Sequence, residues 1–319
     1  MNEPTTLMEA IKYFFDPDIC LDFVVKLRWS NGVTCPTCGS KEVRFISTRR
    51  IWECKAQHPK RQFSVKVGTI FEDSPIALDK WLAAIWMIAN AKNGVSSYEI
   101  ARGLGVTQKT AWFMMHRIRL AMGTDNGKLS GTVEADETYI GGKARNMHKS
   151  KREAIIKGRG GVGKVAVMGL LERHGLDDKL SKVQTKILAD TSRKTIPPAV
   201  RQSVEAGSNL ITDALAPYKD LDSEYVHEVI DHAEAYVKGH VHTNGIENFW
   251  SLLKRAIRGT YVNVEPFHLI RYLDEETFRF NTRQTDDAGR FNGVVSGITG
   301  KRLTYADLIG QESPLQETP

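Results

Sequence analysis

The stretch from His242 to Lys254, His-Thr-Asn-Gly-Ile-Glu-Asn-Phe-Trp-Ser-Leu-Leu-Lys, holds the residues with the most chemistry to offer. At 100° per residue, Ile246, Phe249, Trp250, Leu253 and Ile257 form one apolar stripe. Asn244, Glu247, Ser251, Lys254 and Arg258 form a second stripe on another face. The spacing predicts a helix with its apolar side pinned to a core and a carboxylate and a lysine on its polar side. Alone, that pair also suits a solvated ion-pair face. Two upstream aspartates change the balance. Val133-Glu134-Ala135-Asp136-Glu137-Thr138 alternates as a strand, with Glu134, Asp136 and Thr138 on one face. Acids are disfavoured in strands, so a cluster of them needs a reason. Leu210-Ile211-Thr212-Asp213 is a short apolar strand that ends in an acid. Three separated carboxylates, Asp136, Asp213 and Glu247, are the donor set of two-metal phosphoryl transfer, with two Mg²⁺ or Mn²⁺ ions per site. Asn244 lies one turn before Glu247 on the same polar face. Glu247 is preferred because a carboxylate neutralises metal charge and an amide cannot. Lys254 would clamp a phosphate near the scissile bond.

A second metal chemistry is written near the start. Cys35-Pro36-Thr37-Cys38 has the spacing of a ligand knuckle, and Cys54 follows. A tetrahedral zinc needs four ligands. Position 57, where a matching knuckle would end, is Gln57, so His58 is the nearby substitute. Two readings stay open: zinc held by Cys35, Cys38, Cys54 and His58, or a ribbon held by packing alone. Cys20 reads as an ordinary buried cysteine. An intracellular Cys-x-x-Cys pair points to metal rather than disulfides.

Between these sites, residues 97–120 carry a helix-turn-helix pattern. Ala101 is small where two helices would cross, Gly105 sits at the turn, and Thr107 can cap the second helix. That second helix is expected to expose Gln108, Lys109, His116, Arg117 and Arg119 for major-groove contact, with Lys254 and Arg258 as further DNA contacts. A plain helical hairpin gives the same pattern. From Lys143 to Lys164 there are eight Lys or Arg and one Glu, broken by glycines. Such a loop commonly meets phosphate backbones, although a solvated loop has the same composition.

The elements that must position these residues follow from the hydrophobic periods. Residues 1–30 read as helical, and 31–73 as short, turn-rich strands. A strong helix covers about 78–91. Strands are expected at 132–138, 164–173, 183–188, 209–213 and 225–230, with helices at about 192–205 and 266–280. The order is that of an α/β sheet with helices on its faces. The domains expected are an N-terminal helix and ribbon (1–73), a helix-turn-helix domain (74–127), a catalytic domain (128–283) and a C-terminal tail (284–319), Gly-rich, polar and weakly ordered at most.

Bulk properties bound the rest. The chain has 319 residues and 41% hydrophobic residues, enough for two or three domains with real cores. No run of 18 apolar residues and no secretory signal are visible, so cytoplasmic residence is expected. The net charge of +6 is a modest excess that many cytosolic proteins share, and its distribution says more.

At these motifs the chain resembles the bacterial insertion-sequence transposases of the ISXO type. The resemblance covers roughly residues 15–283. It is carried by the ribbon, by Val-Gly-Thr-Ile-Phe-Glu-Asp-Ser at 67–74 and by the helix-turn-helix. Glu-Ala-Asp-Glu-Thr-Tyr-Ile-Gly-Gly-Lys at 134–143, Ile-Thr-Asp at 211–213 and the 242–255 run complete it. It implies an RNase H-like core of the DDE class acting on transposon ends, its two aspartates falling on Asp136 and Asp213 and its lysine on Lys254. It further implies binding to double-stranded terminal inverted repeats, phosphodiester hydrolysis, joining of the freed 3′-OH to target DNA, and a dimer or larger assembly on DNA. A metal-dependent nuclease without strand joining, or a non-catalytic DNA-binding regulator using residues 1–125, are the competing expectations.

Overall fold

A computed structural model describes residues 3–123, 127–141, 164–173, 180–213, 216–230, 242–262 and 264–311. The basic run 143–164 lies outside them, Lys164 excepted. The chain divides into two units. One is Met1–Thr124 together with Gln284–Pro319, and the other is Asp125–Arg283.

In the first unit, helices α1 (Leu7–Tyr13) and α2 (Pro17–Arg28) precede a small antiparallel sheet. Its strands are β1 (Val43–Ile46), β2 (Ile51–Cys54) and β3 (Gln62–Phe63), in the order β1-β2-β3. Helix α2 starts where Asp16 accepts from the backbone N–H of Asp18 and Pro17 stands at the first helical position. Three further helices follow: α3 (Leu78–Asn90), α4 (Ser97–Leu104) and α5 (Gln108–Met122). Ser96 and Glu99 make a reciprocal cap on α4, Gly105 turns the chain with φ 61°, and Thr107 caps α5.

Two expectations fail in this unit. Among the described residues, 284–311 are not a weakly structured tail: α9 (Asp287–Ser296) and α10 (Tyr305–Leu308) belong to the first unit. Phe291 on α9 is buried against Phe14, Phe23 and Trp86. Burial of such a ring is worth about 1.5–3 kcal/mol. Gly289, Gly293 and Gly297 dilute the apolar period of Phe291, Val294 and Val295, and for that reason composition alone misleads. The second failure is α5. His116, Arg117 and Arg119 are buried, not presented to solvent. Arg117 donates to the carbonyls of Ile70, Glu72 and Leu303, and its guanidinium lies over the Phe113 ring. It ties the 67–74 run and the C-terminal segment to α5, which is a core helix from Ala111 onward. Gln108 and Lys109, at its start, remain near the surface.

The second unit is built on five strands: β4 (Thr132–Ile140), β5 (Val165–Glu172), β6 (Lys182–Leu188), β7 (Asn209–Asp213) and β8 (Val226–Ile230). Their order is β6-β5-β4-β7-β8. The first three form an antiparallel meander, whereas β7 and β8 run parallel to β4. Helix α6 (Ile196–Ser203), opened by Pro197, covers one face, where Val133, Ala135, Leu170, Val200 and Tyr218 are buried together. Helices α7 (Asn244–Ala256) and α8 (Leu269–Asn281) cover the other. There Ile246, Phe249, Trp250 and Leu253 of α7 pack on Val167 and Leu171. This is the stripe read from the sequence, and it fixes which side of α7 meets the sheet. Among the described residues no helix is long and apolar enough to cross a membrane.

Candidate functional site

Asp136 lies mid-strand on the central β4. The parallel pairing with β7 runs from Thr132↔Asn209 to Ala135↔Thr212, so Asp136 and Asp213 stand one step further, side by side where that ladder ends. Adjacent strands are about 4.8 Å apart, and aligned residues of parallel strands face the same way. Asp136 faces α7. Its Oδ2 accepts from the indole N–H of Trp250 at 2.9 Å, and its Oδ1 accepts from the backbone N–H of Glu137 at 2.8 Å. Trp250 can lie this close because the residue opposite Asp136 on β5 is Gly169. A Cβ there would come within 2.5 Å of the Trp250 ring. A lone glycine inside an apolar strand is a signal of such close approach.

Helix α7 is docked by a second acid of β4. Glu134, buried, accepts from the backbone N–H of Ile246 at 2.8 Å and from Arg173 Nε at 2.7 Å. Arg173 also reaches the carbonyl oxygen of His242. The carboxylate thus satisfies an orphan N–H of the first turn and meets the positive end of the helix, while Arg173 compensates its charge. The alternation placed Glu134 beside Asp136 but could not reveal this anchoring. Glu247, one turn on, accepts from Thr243 Oγ1 at 3.1 Å and is exposed, as is Asn244.

The electrostatics link the three predicted acids. Burial pushes the Asp136 carboxyl up to about 6, against the Trp250 and Glu137 N–H groups, and the negative charges of Asp213 and Glu247 push it the same way. Glu137, on the opposite face, is raised by burial to about 7 despite a hydrogen bond from the Tyr218 hydroxyl. Asp136, whose burial opposes its ionisation, is a carboxyl that a cation would favour in its charged form, and Asp136, Asp213 and Glu247 are oxygen donors of the kind Mg²⁺ or Mn²⁺ takes. Further along α7, Lys254 is half-buried, and Arg258 is exposed in the π-helical turn Ile257–Tyr261 that follows.

In the first unit the ribbon gathers Cys35, Cys38, Cys54 and His58, with one ligand atom from each within 4.8 Å of the others. Cys54 closes β2. The knuckle is folded by Gly39 N–H donating to Cys35 O and Cys35 N–H to Ser40 O. Burial opposes ionisation of Cys35, but the N–H groups of Cys38 and Thr37 outweigh it and bring the thiol down to about 7. His58 Nδ1 lies 2.6 Å from Pro59 O, so Nδ1 donates and Nε2, 3.5 Å from Cys35 Sγ, is the free ligand atom. The Cys₃His set can bind zinc, and the substitution of His58 for a fourth cysteine is geometrically sound. Cys20 stands apart, buried, its thiol pushed up to about 12 by burial. At the start of α5, Gln108 bonds Ser97 Oγ, and Lys109 Nζ sits 4.6 Å over the Tyr305 ring.

Comparison with known proteins agrees with this division. Residues 128–281 match the ISXO2-like transposase domain, and residues 16–56 match the transposase zinc-ribbon domain. A protein in the transposable element ISH50 of Halobacterium salinarum is 28% identical over 291 residues, 85% of this chain and 95% of that one. A transposase-like protein of Haemophilus influenzae is 33% identical over 104 residues, 32% of this chain and 84% of that one. The chain belongs to the ISXO2-like transposase family.

Proposed function

We propose that this chain is a DDE transposase that binds the terminal inverted repeats of an insertion sequence, hydrolyses a phosphodiester there and joins the freed 3′-OH to target DNA. The observation that carries the reading is the placement of Asp136 and Asp213 side by side at the end of the β4–β7 ladder, with Glu247 near enough for its charge to act on Asp136. The sheet order, a three-stranded meander continued by two parallel strands, supports an RNase H-like core. Asp136, Asp213 and Glu247 hold the metal ions, with Glu247 preferred to Asn244. When bound, two Mg²⁺ or Mn²⁺ supply Lewis-acid activation of the attacking oxygen and stabilisation of the leaving one. Trp250 and the Glu137 N–H orient Asp136. Glu134 and Arg173 fix the start of α7 and so the height of Glu247. Lys254 holds a phosphate of the strand being cut. The ribbon and the α4–α5 pair bind the ends, Lys109 and Gln108 being the residues of α5 available to DNA; Arg117 and Arg119 are removed from that role by burial. Two copies acting on two ends make a dimer or larger assembly.

The test is a cleavage and joining assay on a labelled transposon-end duplex with Mg²⁺ or Mn²⁺, supplemented by a pre-cut end. Wild type should nick and join. Asp213→Asn should bind the end duplex as wild type does and do neither. Nicking without joining of the pre-cut end would select the nuclease, and equal loss of binding and cleavage in Asp213→Asn would make Asp213 structural.

A further inference from the structure

We propose that Tyr218 and Glu137 form a strut that sets the separation of Asp136 and Asp213, which makes Tyr218 a positioning residue of the metal site; this rests on the function proposed above. The β4–β7 ladder has its last recorded pair at Ala135↔Thr212, one step short of both aspartates. Glu137 directly follows Asp136, and its backbone N–H holds Asp136 Oδ1. Tyr218, fully buried, lies in the 3₁₀ turn Ala216–Leu221 that leaves β7 after Asp213. Its hydroxyl donates to Glu137 Oε1.

The same turn is moored on its other side. Asp222, just past it, lies 2.5 Å from His227 Nδ1 on β8, and His227 Nε2 lies 2.8 Å from Thr212 Oγ1, the residue before Asp213. Movement of the turn would therefore drag Asp213 relative to Asp136. Glu137 does this as a hydrogen-bond acceptor and not as a ligand. By alternation it points away from the α7 face on which Asp136 meets Trp250, and Tyr218 is packed among the residues of the opposite core. What matters is an oxygen at position 137 and a hydroxyl at 218.

The test measures Mn²⁺ binding to the full chain by electron paramagnetic resonance, with Mn²⁺ as the only added ligand. Tyr218→Phe keeps the ring in its core and removes the hydroxyl. It should weaken Mn²⁺ binding by about 10–100-fold, the usual loss when a group orienting a metal ligand is removed. Glu137→Gln keeps an oxygen that accepts from Tyr218, and should bind within about threefold of wild type. The double variant Glu137→Met with Tyr218→Phe replaces both partners by apolar groups, leaves no orphaned acceptor and guards against misfolding of the single variant. It should show the same loss as Tyr218→Phe. Wild-type affinity in Tyr218→Phe, or a loss in Glu137→Gln as large as in Tyr218→Phe, overturns the strut. Absence of Mn²⁺ binding in wild type, or unchanged binding in Asp213→Asn, instead overturns the metal site itself and the strut with it.

Discussion

Replacing Asp136 by Asn should change stability in opposite directions at low and high pH. Burial, aided by the charges of Asp213 and Glu247, lifts the folded Asp136 carboxyl from 3.8 to about 6. The gap, at about 1.4 kcal/mol per pH unit, corresponds to about 3 kcal/mol. The sign follows from linkage. A carboxyl whose folded pKa is raised binds its proton more tightly in the native state, so its cost is absent below about pH 4. The cost grows as pH rises and is complete above about pH 6. Asn carries no charge and escapes it. Asn can still accept from the Glu137 N–H through Oδ1, but its amide cannot accept from the Trp250 indole, a loss of about 1–2 kcal/mol. In Mg²⁺-free buffer at about pH 8 the variant should be more stable than wild type by about 1–2 kcal/mol. At about pH 4 it should be less stable by a similar amount. Urea unfolding read by hydrogen exchange of the β4 amides reports on the second unit alone. A variant that is weaker than wild type at both pH values, with no change of sign, would refute the argument that Asp136 is held ionised at a cost set first by its burial.

Three further outcomes are expected. Gly169→Ala drives a methyl into the Trp250 ring and should cost about 1–3 kcal/mol while weakening metal-dependent cleavage, as read by thermal melts and the nicking assay. Lys254→Ala should lower strand transfer by about tenfold or more and Lys254→Arg by less, with zinc content and melting unchanged; wild-type joining by Lys254→Ala would return the residue to a solvated face. Purified protein should contain about one zinc per chain with bonds near 2.3 Å to sulfur by X-ray absorption, and His58→Ala should release it more readily to a chelator.

The second unit was largely legible in the sequence because its periods are clean. Ile246, Phe249, Trp250 and Leu253 repeat as a helix does, and β4, β5 and β7 alternate or run apolar within a residue or two of their observed ends. Asp136 stood out because strands disfavour acids, whereas Asp213, at a strand end, and Glu247, in the first turn of a helix, gained weight only beside it. Charge misled in α5. Arg117 and Arg119 look like surface residues, yet backbone carbonyls of distant segments accept from Arg117, and no local pattern announces a partner 186 residues away. Glu134, Gly169 and Tyr218 were hidden for the same reason: each acts on a residue brought near only by the sheet.

The return of residues 284–311 to the first unit has a consequence for how the protein is made. Phe14, Phe23 and Trp86 lack their cover until Phe291 has been synthesised, after the whole of Asp125–Arg283. At about 5–20 residues per second, that leaves the N-terminal helices unfinished for roughly 10–30 s while the second unit emerges and folds. The sheet unit is in effect an insert within the N-terminal one. A chain that terminates before Phe291 therefore lacks the cover of its own beginning, and no product shortened from the C-terminal side can keep a complete first unit while lacking the acids of the second.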